Sequence, residues 1–442
     1  MPGMQVTRTV TVELDEDVVG IAELERAALE FARTAPGGLV AATIEQMLAE
    51  LITTVVGPLG DPLPISRQLV APWGCTGCGS MQGFRRRGAS SKPRTLSATC
   101  GTVRFRSPCV QCLSCSRRFA PAPQLLGLRA YQRRTDELST MAAGLAGEVA
   151  YAKASRLLSE LAGQDVSARS IRRDVLAMAP QRIAPDGPVS VPILLLDGTG
   201  ERAGATKGGV ELHLAIGLVA RRRAGTRVRV QAQLLAATLD EPWTTMDTLL
   251  ADVTPGLVVV DGEQALSDLT GRLWPHTPVQ RCLFHLARAV GWLTRYRDRL
   301  AGETADDLVA RLEALLADAY RDGDVDRARA RYAALVDHAR SVGAHKAAGH
   351  LARAIDEALC FLVNPDAGRL VFGHKGRPEL GSGVLERVMR ELNRRTDVGV
   401  RWSINGLRRL LMIKLQHKYH QGPWSPPVTT PPTPTVRFSL AA

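Results

Sequence analysis

The sequence predicts a multidomain α+β protein, and three observations carry that expectation. Two CxxC pairs, Cys75 with Cys78 and Cys112 with Cys115, lie in a stretch rich in Gly, Ser and Arg. A Pro-free block rich in Ala and Leu follows over residues 135–179, with the spacing of helices. Beyond a linker at residues 180–188 the pattern changes to short, nearly continuous apolar runs, the mark of buried strands.

Composition sets the bounds. A chain of 442 residues has room for roughly two to four domains. Its 45% hydrophobic and 23% charged residues exclude wholesale disorder. No continuous apolar run approaches the roughly 20 residues that span a bilayer, and the N-terminus lacks a basic segment leading into an apolar one. A cytoplasmic, nucleoid-associated protein with no membrane partner is therefore expected. The net charge of +12 is uneven: residues 71–135 hold twelve Lys or Arg and no Asp or Glu, while the first 60 residues lean acidic. One sign of charge over such a length suits a polyanion, whose counterions are released on binding. A genome that favours Arg codons is the plainer explanation of the charge alone. Eight cysteines without an export signal point to metal ligands or buried thiols rather than disulfides.

In chain order, residues 1–70 predict a short strand and then helix, with Leu24, Ala27, Ala28 and Phe31, then Ile44, Met47, Leu48 and Leu51, at helical spacing. Packing or self-association is the expected role. Residues 71–122 predict a zinc ribbon, in which Cys75, Cys78, Cys112 and Cys115 supply the four thiolates that tetrahedral Zn²⁺ requires. Cys109 with Cys112 is a rival pair. Cys115 is preferred because Ser116, Arg117 and Arg118 continue as the exit of a knuckle, and Cys100 reads as a buried spare. Residues 130–180 predict a helix-turn-helix. Gly163 stops one helix, Ser167 caps the next, and Arg169, Arg172 and Arg173 lie on the second helix, where they can meet a major groove. A plain helical hairpin is the alternative.

Residues 189–420 predict the catalytic domain. Apolar runs at 192–197, 211–219 and 227–235 form a candidate antiparallel meander, followed by helix at 247–253 and a fourth buried strand at 256–261. That is the element order of an RNase H-like fold. A helical insertion is expected at about residues 295–365. Residues 421–442, rich in Pro and Thr, predict an extended or disordered tail.

Two aspartates close two buried runs alike, Asp197 before Gly198 and Asp261 before Gly262, with each glycine expected to turn the chain beside its acid. A third carboxylate would complete a site for two metal ions about 3.5–4 Å apart. Glu386 is the candidate: Leu385, Val388, Met389 and Leu392 form the apolar stripe of its helix. Glu386, Arg390, Asn393 and Arg394 share a polar face that sets an acid at the metal and bases along a nucleic-acid backbone. Glu391 and Glu379 are rivals, Glu391 on another face and Glu379 outside the helix. A solvated face with an incidental acid is the bland reading.

These residues resemble the DDE triad of Mutator-like transposases of bacterial insertion sequences: Asp197 and Asp261, each before Gly, and Glu386 ahead of Asn393-Arg394-Arg395. Cys282 and His285 resemble the CxxH signature of that superfamily. The resemblance spans residues 70–420. It implies Mg²⁺ or Mn²⁺ at Asp197, Asp261 and Glu386, cleavage and strand transfer at terminal inverted repeats of double-stranded DNA, a target DNA, and further copies of the chain as partners. A domesticated DNA-binding protein and a structure-specific RNase H-like nuclease are the rival functions. A structural role for Cys282 and His285 is favoured over a second zinc site. Trp402 reads as loop packing rather than a platform for an unpaired base. No ligand role is assigned to His213, His374, His417 or His420.

Overall fold

The computed structural model describes residues 21–203, 209–222, 228–364, 383–396 and 402–419. The expected N-terminal strand, Glu379, His374, His420 and the Pro-rich tail lie outside the described residues. The chain divides into two compact units, residues 1–177 and 178–442.

In the first unit, α1 (Ile21–Val56) runs as one helix through Pro36. Five strands follow, β1 (Phe84–Ala89), β2 (Arg94–Ala98), β3 (Gly101–Phe105), β4 (Pro108–Cys112) and β5 (Arg118–Phe119). They form an antiparallel sheet in the order β1-β4-β5 and a hairpin of β2 with β3. The second half of α1 covers both. Ile52, Val55 and Val56 join Trp73, Phe84 and Val110 in one core, and Ala41 and Leu48 join Leu96, Val103 and Phe105 in another. The helix comes so near β3 that a Cβ on Gly37 would lie 2.6 Å from the Thr102 carbonyl oxygen. By length and composition the Ala28–Val56 stretch of α1 could also cross a membrane, so the sequence argument against a span is weaker than the lack of a continuous apolar run implied. In this fold its Leu48, Ile52 and Val56 are fully buried against the strands.

Four helices complete the unit: α2 (Ala122–Leu125), α3 (Asp136–Glu148), α4 (Tyr151–Ala162) and α5 (Ala168–Met178). Thr135 caps α3 by accepting from the Leu138 amide. Gly163 ends α4 at φ +60, in the left-handed region where glycine is unstrained, and the Ser167 hydroxyl accepts from the Ser170 amide at 3.2 Å to start α5. Both the stop and the cap were expected. On α5, Ile171 and Val175 are buried, whereas Arg169, Arg172 and Arg173 are exposed.

The second unit opens with β6 (Val189–Val191), β7 (Ile193–Glu201), β8 (Val210–Arg222) and β9 (Val228–Leu239). Next come α6 (Thr245–Leu249), β10 (Val253–Pro255), β11 (Val258–Val260), α7 (Gln264–Leu273), β12 (Val279–Arg281) and α8 (Leu283–Trp292). The main sheet has the order β12-β11-β7-β8-β9. β7, β8 and β9 form an antiparallel meander, while β11 pairs parallel with β7 and β12 parallel with β11. β11 is buried on both faces, which is why it reads as an unbroken Val run.

Alternation along the strands sorts the side chains into two cores. Ile193, Leu195, Leu212, Leu214 and Val259 face α13 (Gly383–Thr396) and α14 (Ile404–Tyr419), whose Leu385, Val388, Met389, Leu392, Leu407 and Leu411 complete that core. Leu194, Leu196, Val258 and Val260 face the other way, toward Met246, Leu266 and Leu269 of α6 and α7. Between α8 and α13 lie α9 (Gly302–Asp322), α10 (Val325–Ser341), α11 (His345–Ala358) and α12 (Cys360–Val363). They have a core of their own, which also takes in Leu283, Leu286 and Val290 of α8. The helical segment thus begins to pack about ten residues before its expected start, because one face of α8 belongs to it.

Candidate active site and cysteine metal centre

The parallel register brings the two aspartates level. Val258 pairs with Leu194 and Val259 with Leu195, an offset of 258 − 194 = 64 residues, and 261 − 197 is also 64. Parity then points both acids the same way: Asp197 alternates with Ile193 and Leu195, and Asp261 with Val259, all toward α13. Glu386 stands in the first turn of α13, half-buried, above the stripe that fixes this helix on the sheet. Arg390 and Arg394, one and two turns on, are exposed.

Electrostatics tie these groups together. Asp197 is 3% exposed. Burial pushes its carboxyl up to about 6; the His285 charge opposes this, the Asp261 and Glu386 carboxylates add to it, and a 2.9 Å bond from the Gly198 amide favours the ionised form. His285, in the first turn of α8, is pushed up to about 9 by hydrogen bonding to Cys282 and by the charges of Asp197 and Asp261, against desolvation. Glu263 is raised by burial and by Asp261, and its amide donates to Asp261 Oδ1 at 2.8 Å. A carboxyl raised chiefly by burial and further by neighbouring carboxylates is a place where a divalent cation offsets desolvation and relieves repulsion, so this donor set fits one. The three acids do not converge on one point as tightly as the cysteines do, and two ions spread their donors over a wider space.

The two glycines differ from expectation and from each other. Gly262 turns the chain at φ +95, as the sequence suggested. Gly198 does not: β7 continues to Glu201, so Asp197 lies within the strand. Gly198 is small there because a Cβ would come 2.7 Å from Glu211 Oε1 and 3.4 Å from both His213 and Trp243. His213 is buried and stacks on Trp243 at 3.9 Å between ring centres. These two line a cleft of about 370 Å³ with Glu211, Glu241, Asp268 and Arg272. None of those residues carried a motif in the sequence, since their meeting depends on the β8 register.

The rivals find other partners. Glu391 accepts from Tyr419 Oη at 2.7 Å and pairs with Lys418. Trp402 is half-buried against the sheet core, its Nε1 donates to the Thr396 carbonyl at 3.2 Å, and Arg395 lies over its ring.

In the first unit, Cys75 and Cys78 sit in the turn before β1, Cys112 ends β4 and Cys115 lies in the turn before β5. Their four sulfurs lie within 4.8 Å of one another, Cys75 to Cys115 at 3.5 Å and Cys78 to Cys112 at 3.7 Å. A tetrahedron of Zn–S bonds of about 2.3 Å has edges of about 3.8 Å, so the cluster fits zinc. Charge agrees. The Arg117 amide favours the Cys115 thiolate, yet Cys75, desolvation, Cys78 and Cys112 outweigh it and push Cys115 up to about 12. Four thiolates coexist there only around a cation. Cys109 lies outside the cluster, and Cys100 is half-buried rather than buried. Beside the cluster, Arg85, Arg86, Arg87 and Arg118 line a groove of about 480 Å³ with Pro58, Leu59 and Pro62.

Two outcomes follow. Purified protein carries one zinc per chain, and Cys112→Ser loses it, with the strands β1 to β5 losing their protection in hydrogen exchange; a metal-free protein with protected strands would contradict the assignment. For Asp197, a folded-state pKa of about 6 against 3.8 means that the ionised carboxyl costs stability above about pH 6, and the cost fades as pH falls toward 4. Without added divalent metal, Asp197→Asn should therefore be more stable than the parent at neutral pH by about 1–3 kcal/mol, with the gap closing near pH 4. A gap that is absent at neutral pH would refute the strain.

A search of curated proteins finds no match for the chain. Asp197 and the four-cysteine cluster lie outside residues 241–416, the segment that a family model matches. A match to the family described as Transposase, Mutator family, over residues 241–416, the segment that holds Asp261, Cys282, His285 and Glu386, shows the chain to be similar to Mutator-like transposases.

Proposed function

We propose that the chain is a DDE transposase that binds the terminal inverted repeats of its element and cleaves and transfers DNA strands with an RNase H-like catalytic domain. The observation that carries this reading is the level placement of Asp197 and Asp261 at neighbouring parallel strands, with Asp261 and Glu386 close enough to raise the Asp197 carboxyl and both inside the segment matched to transposases. The sheet supports it too: a three-stranded antiparallel meander followed by two parallel strands on the edge of β7 is the strand order of RNase H-like folds.

Two divalent ions, Mg²⁺ or Mn²⁺, would supply activation of the attacking oxygen and stabilisation of the leaving one. Asp197, Asp261 and Glu386 would hold them. Water attacks the phosphodiester first, and the freed 3′-hydroxyl attacks the target strand second. Arg390 and Arg394 hold the DNA backbone beside Glu386, with exposed guanidinium groups on the same helix. Arg169, Arg172 and Arg173 on the exposed side of α5 enter a major groove as the second helix of a helix-turn-helix. The zinc ribbon orders the arginines of β1 and β5, which add phosphate contacts.

Purified protein incubated with the DNA that flanks its gene tests this. Asp197→Asn, Asp261→Asn and Glu386→Gln should each lower cleavage by more than about 100-fold, beyond the loss of an outer-shell partner, with end binding unchanged. Arg172→Ala should weaken end binding and reduce its salt dependence by about one counterion. Cleavage that survives in an acid variant removes that residue from the triad.

A further inference from the structure

The turn after Asp261 is built around a buried guanidinium. Arg281, the last residue of β12, is 7% exposed. Its Nη1 donates to the Asp261 carbonyl at 3.2 Å, and its Nη2 pairs at 2.8 Å with Glu357 Oε2 on α11. Gly262 makes the room: a Cβ there would fall 0.8 Å from Arg281 Nη1, and the residue stands at φ +95. The neighbouring Gln280, fully buried, holds the same helical segment, donating to the Ala358 carbonyl at 3.3 Å and accepting from the Phe361 amide at 2.9 Å. One strand thus clasps the end of α11 and the start of α12 and, through its last side chain, the backbone of Asp261.

Resting on the metal-site reading above, we infer that Arg281 is a positioning residue for Asp261, and that docking of the helical segment through Glu357 sets the geometry of the metal site. Arg281 is too deeply covered to touch DNA. A guanidinium buried this far stays in place only while it is paired, and Glu357 supplies the pair. Its second hydrogen bond falls on the peptide that leaves Asp261, the peptide whose direction aims the carboxylate. Loss of Glu357 frees the guanidinium and so loosens Asp261 from 357 − 261 = 96 residues away in sequence.

The test uses full-length protein. Mn²⁺ affinity is read by paramagnetic resonance without DNA, and the Mg²⁺ concentration for half-maximal cleavage is read with DNA. Below the unfolding temperature of each variant, Arg281→Lys and Glu357→Gln should each weaken Mn²⁺ binding by about 10- to 100-fold and raise the Mg²⁺ midpoint in step, with end binding as in the parent. Arg329→Ala removes an exposed pair with Asp356 on the same helical segment and should leave both readings unchanged. If Arg281→Lys fails to fold, Glu357→Gln, whose side chain is 30% exposed, carries the test. Mn²⁺ affinity within about twofold of the parent in the folded variants overturns the proposal, as does equal weakening by Arg329→Ala. Asp261→Asn separates the two ideas: if it also keeps parental Mn²⁺ affinity, the metal-site reading itself fails. If Asp261→Asn alone loses affinity, only the positioning role does.

Discussion

The pairing of β11 beside β7 is the constraint on which the rest of the second unit depends. Parallel strands cannot be joined by a tight turn, so the chain must travel through β8, β9 and α6 before it returns. That return fixes an offset of 64 residues, and the offset sets Asp261 level with Asp197. A slip of one residue would reverse the parity of every β11 side chain, sending Val259 to the wrong core and Asp261 away from α13. The apolar packing that makes the sheet stable therefore also holds the acids in place. The same packing seats Leu385, Val388, Met389 and Leu392, and with them Glu386.

Holding these charges together costs stability, and the surrounding residues show how the cost is contained. Asp197 is buried at a raised pKa, with the imidazole of His285 and the Gly198 amide as its compensation. Asp261 is half-buried and receives the Glu263 amide. Each acid precedes a glycine, yet for different physical reasons: Gly262 yields space to a guanidinium, and Gly198 yields space to Glu211 and the His213–Trp243 stack. The raised carboxyl of Asp197 and the close packing around it suit a cation.

Much of this was legible in the sequence because it is local. The apolar runs, the stripe of the Glu386 helix, the Gly163 stop, the Ser167 cap and the choice of Cys112 with Cys115 over Cys109 each follow from residues within a turn or a knuckle of one another. The resemblance to Mutator-like transposases rested on the same short motifs. What escaped depends on contacts between distant residues. The helical spacing of α1 said that it packs but not on what: its docking on the strands around the cysteines shows only in the fold, in the two shared cores and the approach of Gly37 to Thr102. Arg281 looked like one more arginine among many, its partner Glu357 lying 357 − 281 = 76 residues on. The Gly198 turn was misjudged because DG reads the same whether the glycine bends the chain or merely lets a neighbour approach.

A metal site shared by the three acids can be tested without any DNA. Fe²⁺ in place of Mg²⁺, with ascorbate and peroxide, produces hydroxyl radicals at the ion and cuts the polypeptide beside its ligands. The account predicts cuts near Asp197, Asp261 and Glu386 in the intact protein, all suppressed by excess Mg²⁺ and all lost in Asp197→Asn. Cuts confined to one of the three segments, or cuts indifferent to Mg²⁺, would contradict a shared metal site.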